Sequence, residues 1–213
     1  MSSAGAYAAA RLTPQQMRES LAAALAERAR LSPRREIWVF GYGSLIWRPE
    51  FAYDRRLPAR VFGYHRRLCL RSVLYRGTPE YPGLVAGLDR GGSCAGVAYR
   101  LHKESAPREL ERLWEREMFM GSYAPRWLRA RPLAGGEPPL ALAFVVRDDA
   151  PNYGGQLCEA EVVDVLRRAC GTRGTSLEYL QHTVAALHAE GLRDPHLERL
   201  LRRASAVSSC APP

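Results

Sequence analysis

The chain has 213 residues, 46% hydrophobic and 25% charged, with a formal net charge of +9. That composition supports a sizeable globular core and excludes a disordered or fibrous chain, and the length suits one domain or one domain with an added segment. No apolar run approaches the ~20 residues of a membrane helix, so no membrane partner is expected.

The positive charge is almost all arginine, with Lys103 the single lysine. Pairs such as Arg34-Arg35, Arg66-Arg67 and Arg202-Arg203 are short and separated, and no nucleic-acid motif accompanies them. They read as a solvated surface, with no nucleic-acid partner. The five cysteines (Cys69, Cys94, Cys158, Cys170, Cys210) are widely spaced and include no C-x-x-C pair. This fits a reducing compartment and argues against a disulfide framework. His182 and His188 are six apart, on different helical faces, and no H-E-x-x-H occurs, so no metal is expected. The start lacks the charged-then-apolar order of a signal peptide, so a soluble, cytoplasmic protein is expected. No motif specifies an oligomeric state.

Residues 1–12 are rich in Ala and Ser and are expected to be disordered. Thr13 then predicts a helix start, with Pro14 at the first position and Gln16 completing a capping box. Met17, Leu21, Ala24, Leu25 and Leu31 make its apolar stripe, Arg28 interrupts it, and Ser32-Pro33 ends it.

The apolar strand Ile37 to Phe40 runs directly into a glycine-bracketed turn, V-F-G-Y-G-S-L-I-W from Val39 to Trp47. Gly41 and Gly43 permit a tight turn around Tyr42, and the Ser44 hydroxyl adds a donor. Such a loop can cradle a carboxylate or an oxyanion, or be a glycine-rich strand end without a ligand. It is neither a dinucleotide fingerprint, since Ile46 stands where the third glycine belongs, nor a G-x-S-x-G elbow, since Tyr42 and Ile46 flank Ser44 at two residues.

Strands are predicted at Arg60 to Leu70, Gly83 to Leu88, Cys94 to Leu101, Trp127 to Pro132 and Leu140 to Arg147. Arg90-Gly91-Gly92-Ser93 reads as a hairpin turn between two of them. A helix begins near Ser105-Ala106-Pro107, with Leu110, Leu113 and Trp114 on its apolar face. With Leu110 at 0° and ~100° per residue, Glu117 falls near ~340°, inside that stripe, while Glu109, Glu111 and Glu115 point to the flank or to solvent. A carboxylate facing the core needs a reason. It is either ion-paired to an arginine or a general base whose pKa desolvation raises. Gly121-Ser122-Tyr123 follows, supplying a turn and a phenol that lines the same place or merely packs there.

Cys158 to Ala169 predicts a helix ending by Gly171. Thr175 and Glu178 form a capping box for another, with Leu177, Leu180, Val184 and Leu187, ending at Gly191. Asp194-Pro195 starts a last one with Leu197, Leu200 and Leu201. Strands first and helices later imply an α+β fold, a curved or barrel-like mixed sheet with helices outside. The expected organisation is an N-terminal extension at 1–36, a catalytic domain at 37–203 and a tail at 204–213.

The motifs G-Y-G-S-L-I-W, R-G-T-P (Arg76 to Pro79), G-V-A-Y-R-L (Gly96 to Leu101) and R-E-M-x-x-G-x-Y (Arg116 to Tyr123) occur in that order. Together they resemble the ChaC family of glutathione-specific γ-glutamylcyclotransferases, over roughly Ile37 to Leu201. Ser122 stands where many relatives have glycine, and the helix before Ser32 is extra. The resemblance implies the γ-glutamylcyclotransferase-like fold and cofactor-free cleavage of glutathione to 5-oxoproline and cysteinylglycine. In that reaction the substrate's α-amine attacks its own γ-carbonyl. It implies Glu117 as acid and base, and Val39, Phe40, Gly41, Tyr42, Gly43, Ser44 and Leu45 as the segment holding the γ-glutamyl group. Tyr123 would line the site, and Arg71 or Arg76 would meet the glycine carboxylate unless they are plain surface arginines. Alternatives are a cyclotransferase for other γ-glutamyl amines or amino acids, and a non-catalytic γ-glutamyl-binding module.

Overall fold

The computed structural model describes residues 11–206. The disordered start expected at 1–12 thus lies outside the described residues except for Arg11 and Leu12, and the expected tail lies outside them from residue 207 onward.

Helix α1 (Pro14–Leu31) begins at the predicted cap. The Gln16 N–H donates to Thr13 Oγ1 at 3.2 Å, and the Thr13 N–H donates back to Gln16 Oε1 at 2.9 Å. Its buried side differs from the predicted stripe: Ala24 and Arg28 are buried, whereas Leu25 and Leu31 are exposed. Arg28 is tolerated there because its guanidinium lies 5.8 Å from the Trp127 ring centre and donates to the Glu36 carbonyl.

The next elements are β1 (Trp38–Gly41), the single turn α2 (Ser44–Trp47), β2 (Tyr53–Ser72), β3 (Gly83–Leu101), α3 (Ala106–Met118), β4 (Tyr123–Arg129), β5 (Arg131–Pro132) and β6 (Leu140–Val146). The six strands form one mixed sheet, ordered β4-β6-β1-β3-β2-β5, curled into a half-barrel. This is the expected α+β architecture. Strand β6 is buried along nearly its whole length, as its unbroken apolar run predicts.

β1 lies between β6, to which it is parallel, and β3, to which it is antiparallel. It is only four residues long. Past Gly41 its neighbours meet each other, with Leu88 opposite Val145 in parallel register. The sheet closes ahead of β1, so the chain must leave it at Gly41. That exit places Tyr42 to Ser44 at a gap in the half-barrel.

The predicted hairpin at Arg90 to Ser93 is not there. Gly83–Leu101 is one continuous strand, paired with β2 from Ser72↔Gly83 to Tyr53↔Leu101. At the supposed turn Phe62 faces Ser93 and Tyr64 faces Arg90, leaving Gly63 opposite Gly91 and Gly92. All three glycines have positive φ (83°, 95° and 67°), so they kink both strands of the ribbon without reversing either. The predicted Trp127–Pro132 strand is likewise split, with β4 starting earlier, at Tyr123, and Ala130 separating it from β5.

Helix α4 (Glu159–Arg168), the small β7 (Cys170–Gly171) and β8 (Gly174–Thr175) ladder, α5 (Ser176–Ala189) and α6 (Pro195–Ser205) complete the fold. Both predicted helix starts hold: Thr175 and Glu178 form a reciprocal box, and Asp194 caps α6 ahead of Pro195. The last helix runs two residues past the expected boundary at 203. Asp194 has a second task. Its carboxylate takes Arg66 Nη1 at 2.6 Å, and the same guanidinium donates to the carbonyls of Tyr42 and Ala95. Arg66 is therefore a buried strut joining β2, β3, α6 and the turn after β1, not one of a scattered surface set.

Candidate active site

The turn after β1 opens onto a cleft of about 910 Å³. The N–H groups of Gly43, Ser44 and Leu45 have no hydrogen-bond acceptor among the described residues. The backbone of the turn is closed by Ile46 N–H to the Gly43 carbonyl at 3.0 Å and Arg48 N–H to the Ser44 carbonyl at 2.7 Å. Three amide donors at the gap in the sheet are thus left for something that enters the cleft. Gly43 must lack a side chain, because a Cβ there would come within 2.8 Å of the Tyr179 hydroxyl.

Tyr42, Gly43, Ser44, Leu45, Glu117 and Tyr123 all line this cleft. Val39, Phe40 and Gly41 do not. Val39 and Phe40 are fully buried on opposite faces of the sheet, and Gly41 lies against Leu45 and the Tyr99 ring. They form the strand that aims the turn, and their side chains are spent on packing. The Tyr42 hydroxyl is also engaged, donating to the Phe144 carbonyl of β6 at 2.7 Å.

Glu117 comes from the last turn of α3, whose buried face is Leu110, Leu113, Trp114 and Met118. Its side chain is 14% exposed and ion-paired with Arg116, Nε to Oε1, at 3.0 Å. The ion pair offered by the helical pattern is therefore present. Burial pushes the Glu117 pKa up, Arg116 opposes that, and Glu50 adds to it. Arg116 does more than pair with Glu117. It donates to Ser44 Oγ at 3.0 Å, to the Arg48 carbonyl at 2.7 Å and to Glu50 Oε2 at 2.9 Å. Since Ser44 Oγ accepts that bond, its own proton is directed elsewhere.

Tyr179 of α5 also reaches the cleft. Its hydroxyl accepts the Ala86 N–H at 3.2 Å and finds no acceptor for its own proton among the described residues. Burial raises the pKa values of Tyr42, Tyr123 and Tyr179, and the charge of Glu117 adds to the rise in each. All three phenols keep their protons at neutral pH.

Glu109, expected on the flank, is buried: one Oε2 has no hydrogen-bond partner and lies 3.6 Å from Arg112 Nη1. Arg76 is buried too, its guanidinium 6.0 Å from the Trp47 ring centre and 5.7 Å from that of Tyr179, donating to the Thr175 carbonyl. The R-G-T-P glycine has a packing reason, since a Cβ on Gly77 would meet the Gly83 nitrogen at 2.0 Å. Arg71 lines the cleft with an exposed side chain. The roles of Arg116 and Tyr179 escape sequence reasoning, because Ser44 and Arg116 are 72 residues apart and Tyr179 has the spacing of an ordinary core position. Among the described residues no group of three or more His, Cys, Asp or Glu could hold a metal ion.

A cleft that joins a buried carboxylate to a glycine-bracketed set of amides, on a half-barrel sheet, defines a class that comparison with known proteins identifies. The ChaC-like protein family profile matches residues 37–207, and the chain belongs to this family. A relative from Escherichia coli K12, named glutathione-specific gamma-glutamylcyclotransferase, is 36% identical over 88% of this chain and 79% of its own. The human protein named glutathione-specific gamma-glutamylcyclotransferase 1 is 33% identical over 82% of this chain and 81% of its own. A crystal structure described as a glutathione-specific γ-glutamyl cyclotransferase from yeast superposes with a TM-score of 0.73. At 24% identity it covers 80% of this chain and 96% of its own, which establishes the shared fold.

Proposed function

We propose that this protein cleaves glutathione to 5-oxoproline and cysteinylglycine, with Glu117 moving the proton. The observation that carries the reading is the buried Glu117 facing the same cleft as the unpartnered amides of Gly43, Ser44 and Leu45. The names of the family relatives supply the substrate.

The γ-glutamyl group sits against those amides, with Ser44 donating to it. Glu117 takes a proton from the α-ammonium, and the freed amine attacks the γ-carbonyl. A C–N bond forms and closes a five-membered ring, and negative charge develops on the carbonyl oxygen. Amide N–H groups suit that oxyanion. Glu117 then returns its proton to the departing cysteinyl nitrogen as the amide C–N bond breaks. The second proton shed by the attacking nitrogen ends on the freed cysteinyl amine, which leaves as an ammonium. No water is consumed, because nucleophile and electrophile belong to one molecule and the site's main task is orientation. Desolvation suits Glu117 to this work: an α-amino group titrates at about 7.7–8.0, and a carboxylate moved up from its ordinary value is a better-matched acceptor for its proton. We place the protein in the cytoplasm, in keeping with its reduced cysteines (Cys69, Cys94, Cys158 and Cys170 are free) and with a thiol substrate. Among the described residues no helix is long and apolar enough to cross a membrane.

The test is purified protein with glutathione, wild type beside Glu117→Gln. Wild type should release the two products in equal amounts, and the variant should lose about 10²–10⁴-fold in kcat while keeping its circular dichroism spectrum. A variant retaining most of its rate would remove Glu117 from the chemistry.

A further inference from the structure

Six arginines line the cleft: Arg48, Arg71, Arg76, Arg112, Arg116 and Arg173. Four of them are committed. Arg48 is held 2.5 Å from Glu50, and Arg116 is shared among Glu117, Glu50 and Ser44. Arg76 is wedged between Trp47 and Tyr179, and Arg112 lies 3.6 Å from Glu109. Arg71 and Arg173 remain without a side-chain hydrogen bond or ion pair among the described residues.

These two differ in their surroundings. The charge of Arg71 acts on Glu161, and among the described residues no aromatic ring holds its guanidinium. The field of Arg173 falls on Glu50 and Arg76, the groups beside Arg116 and Tyr179. Arg173 is also held in place. Its Cζ lies 4.1 Å from the centre of the Tyr75 ring, and its N–H donates to the Tyr75 carbonyl at 2.9 Å. Next to it the Thr172 N–H and hydroxyl both bind the Leu74 carbonyl at 2.9 Å, so the turn joining β7 and β8 is pinned to the Leu74–Tyr75 segment. A guanidinium held over an aromatic ring still has N–H groups to offer a carboxylate and loses little entropy in making that pair.

We propose that Arg173, stacked on Tyr75 at the cleft mouth, binds the free C-terminal carboxylate of the substrate and selects glutathione over γ-glutamyl compounds lacking that group. The assignment rests on the reaction proposed above. Arg173 touches no reacting atom and is a specificity residue: it holds the leaving half while Glu117 and the turn act on the γ-glutamyl half. The two arginines named from sequence suit this role less, Arg76 by its burial between two rings and Arg71 because no ring holds its guanidinium among the described residues.

The experiment compares glutathione with its glycine monoethyl ester as substrates for wild type, Arg173→Gln and Arg71→Gln. Wild type should favour glutathione by about 10-fold in kcat/KM, the scale of one charge-assisted contact at an exposed site. Arg173→Gln should erase that preference by raising KM for glutathione about 10-fold with kcat held, and should cleave the ester at the wild-type rate. Arg71→Gln should keep the wild-type ratio. The assignment is overturned if Arg173→Gln keeps the preference, or if Arg71→Gln is the variant that loses it. Wild type cleaving neither compound overturns instead the reaction on which the assignment rests.

Discussion

Glu117 and Arg116 are chain neighbours that pull one titration in opposite directions. Burial raises the Glu117 pKa and the Arg116 charge restrains the rise. The proton acceptor proposed for Glu117 must be ionised, so activity should climb as pH rises through this raised pKa, with an acid limb above the ordinary carboxylate range. Arg116→Met removes the restraint and should move that limb to higher pH in a kcat–pH profile; an unmoved limb would show that the ion pair does not govern the base. Stability follows the same shift with a definite sign. The folded pKa lies above the unfolded one, so ionising Glu117 costs stability progressively as pH rises from about 4.5 through the folded value. Glu117→Gln carries no such penalty. Its melting temperature should match or exceed that of wild type at pH 7, with the difference closing below about pH 4.5. Tyr179 makes a separate case, because its hydroxyl receives the Ala86 N–H and keeps its own proton for the cleft. Tyr179→Phe should lower kcat about 10-fold, the worth of one donated hydrogen bond, and leave the ring packing intact. Wild-type kcat in that variant would mean the hydroxyl serves Ala86 alone.

At the level of elements, what the sequence reveals divides by range. Thr13 with Gln16 and Thr175 with Glu178 mark helix starts correctly because both partners lie within one turn. Glu117 stands out because helical periodicity is also local. The glycine pair at Gly91-Gly92 misleads for a physical reason: positive φ is the signature of both a hairpin turn and a strand kink, and Gly63 across the ribbon decides which. Glu109 is buried where the angular pattern alone points it to the flank, because that pattern carries no information on what packs against the helix. Buried arginines are the least legible, since Arg28, Arg66 and Arg76 are written like their exposed neighbours and acquire their partners only in the fold. Arg66 carries the most consequence, tying the turn after β1 to the cap of α6 with its side chain 3% exposed. Removing one member of a buried ion pair costs about 3–5 kcal/mol. Arg66→Met should lose stability on that scale in urea unfolding and should lower activity by releasing the Tyr42 carbonyl; a loss under ~1 kcal/mol would mean that the strut is redundant.

Across the whole molecule, the position of the cleft follows from one mismatch of lengths. A four-residue β1 sits between longer strands that meet beyond it, so the chain is expelled where β3 and β6 join. The expelled turn then faces α3 and α5, which bring Glu117 and Tyr179. Helix α1 bears on this arrangement from outside: the Trp127 indole N–H donates to the Ala24 carbonyl at 2.7 Å, and that of Trp114 donates to Ser20 Oγ at 3.3 Å. Deleting residues 1–33 would strand both indoles, at about 1 kcal/mol for each lost hydrogen bond, and lower the melting temperature by roughly 4–8 °C. An unchanged melting temperature would make α1 a passive appendage.

The central claim is that the substrate's own amine, and no water, breaks the γ-glutamyl bond. It is tested most directly by running the reaction with glutathione in ¹⁸O-labelled water and weighing the products by mass spectrometry. The account predicts unlabelled 5-oxoproline and cysteinylglycine in equal amounts. Glutamate carrying ¹⁸O would contradict it, because it would mean that water, not the α-amine, attacks the γ-carbonyl.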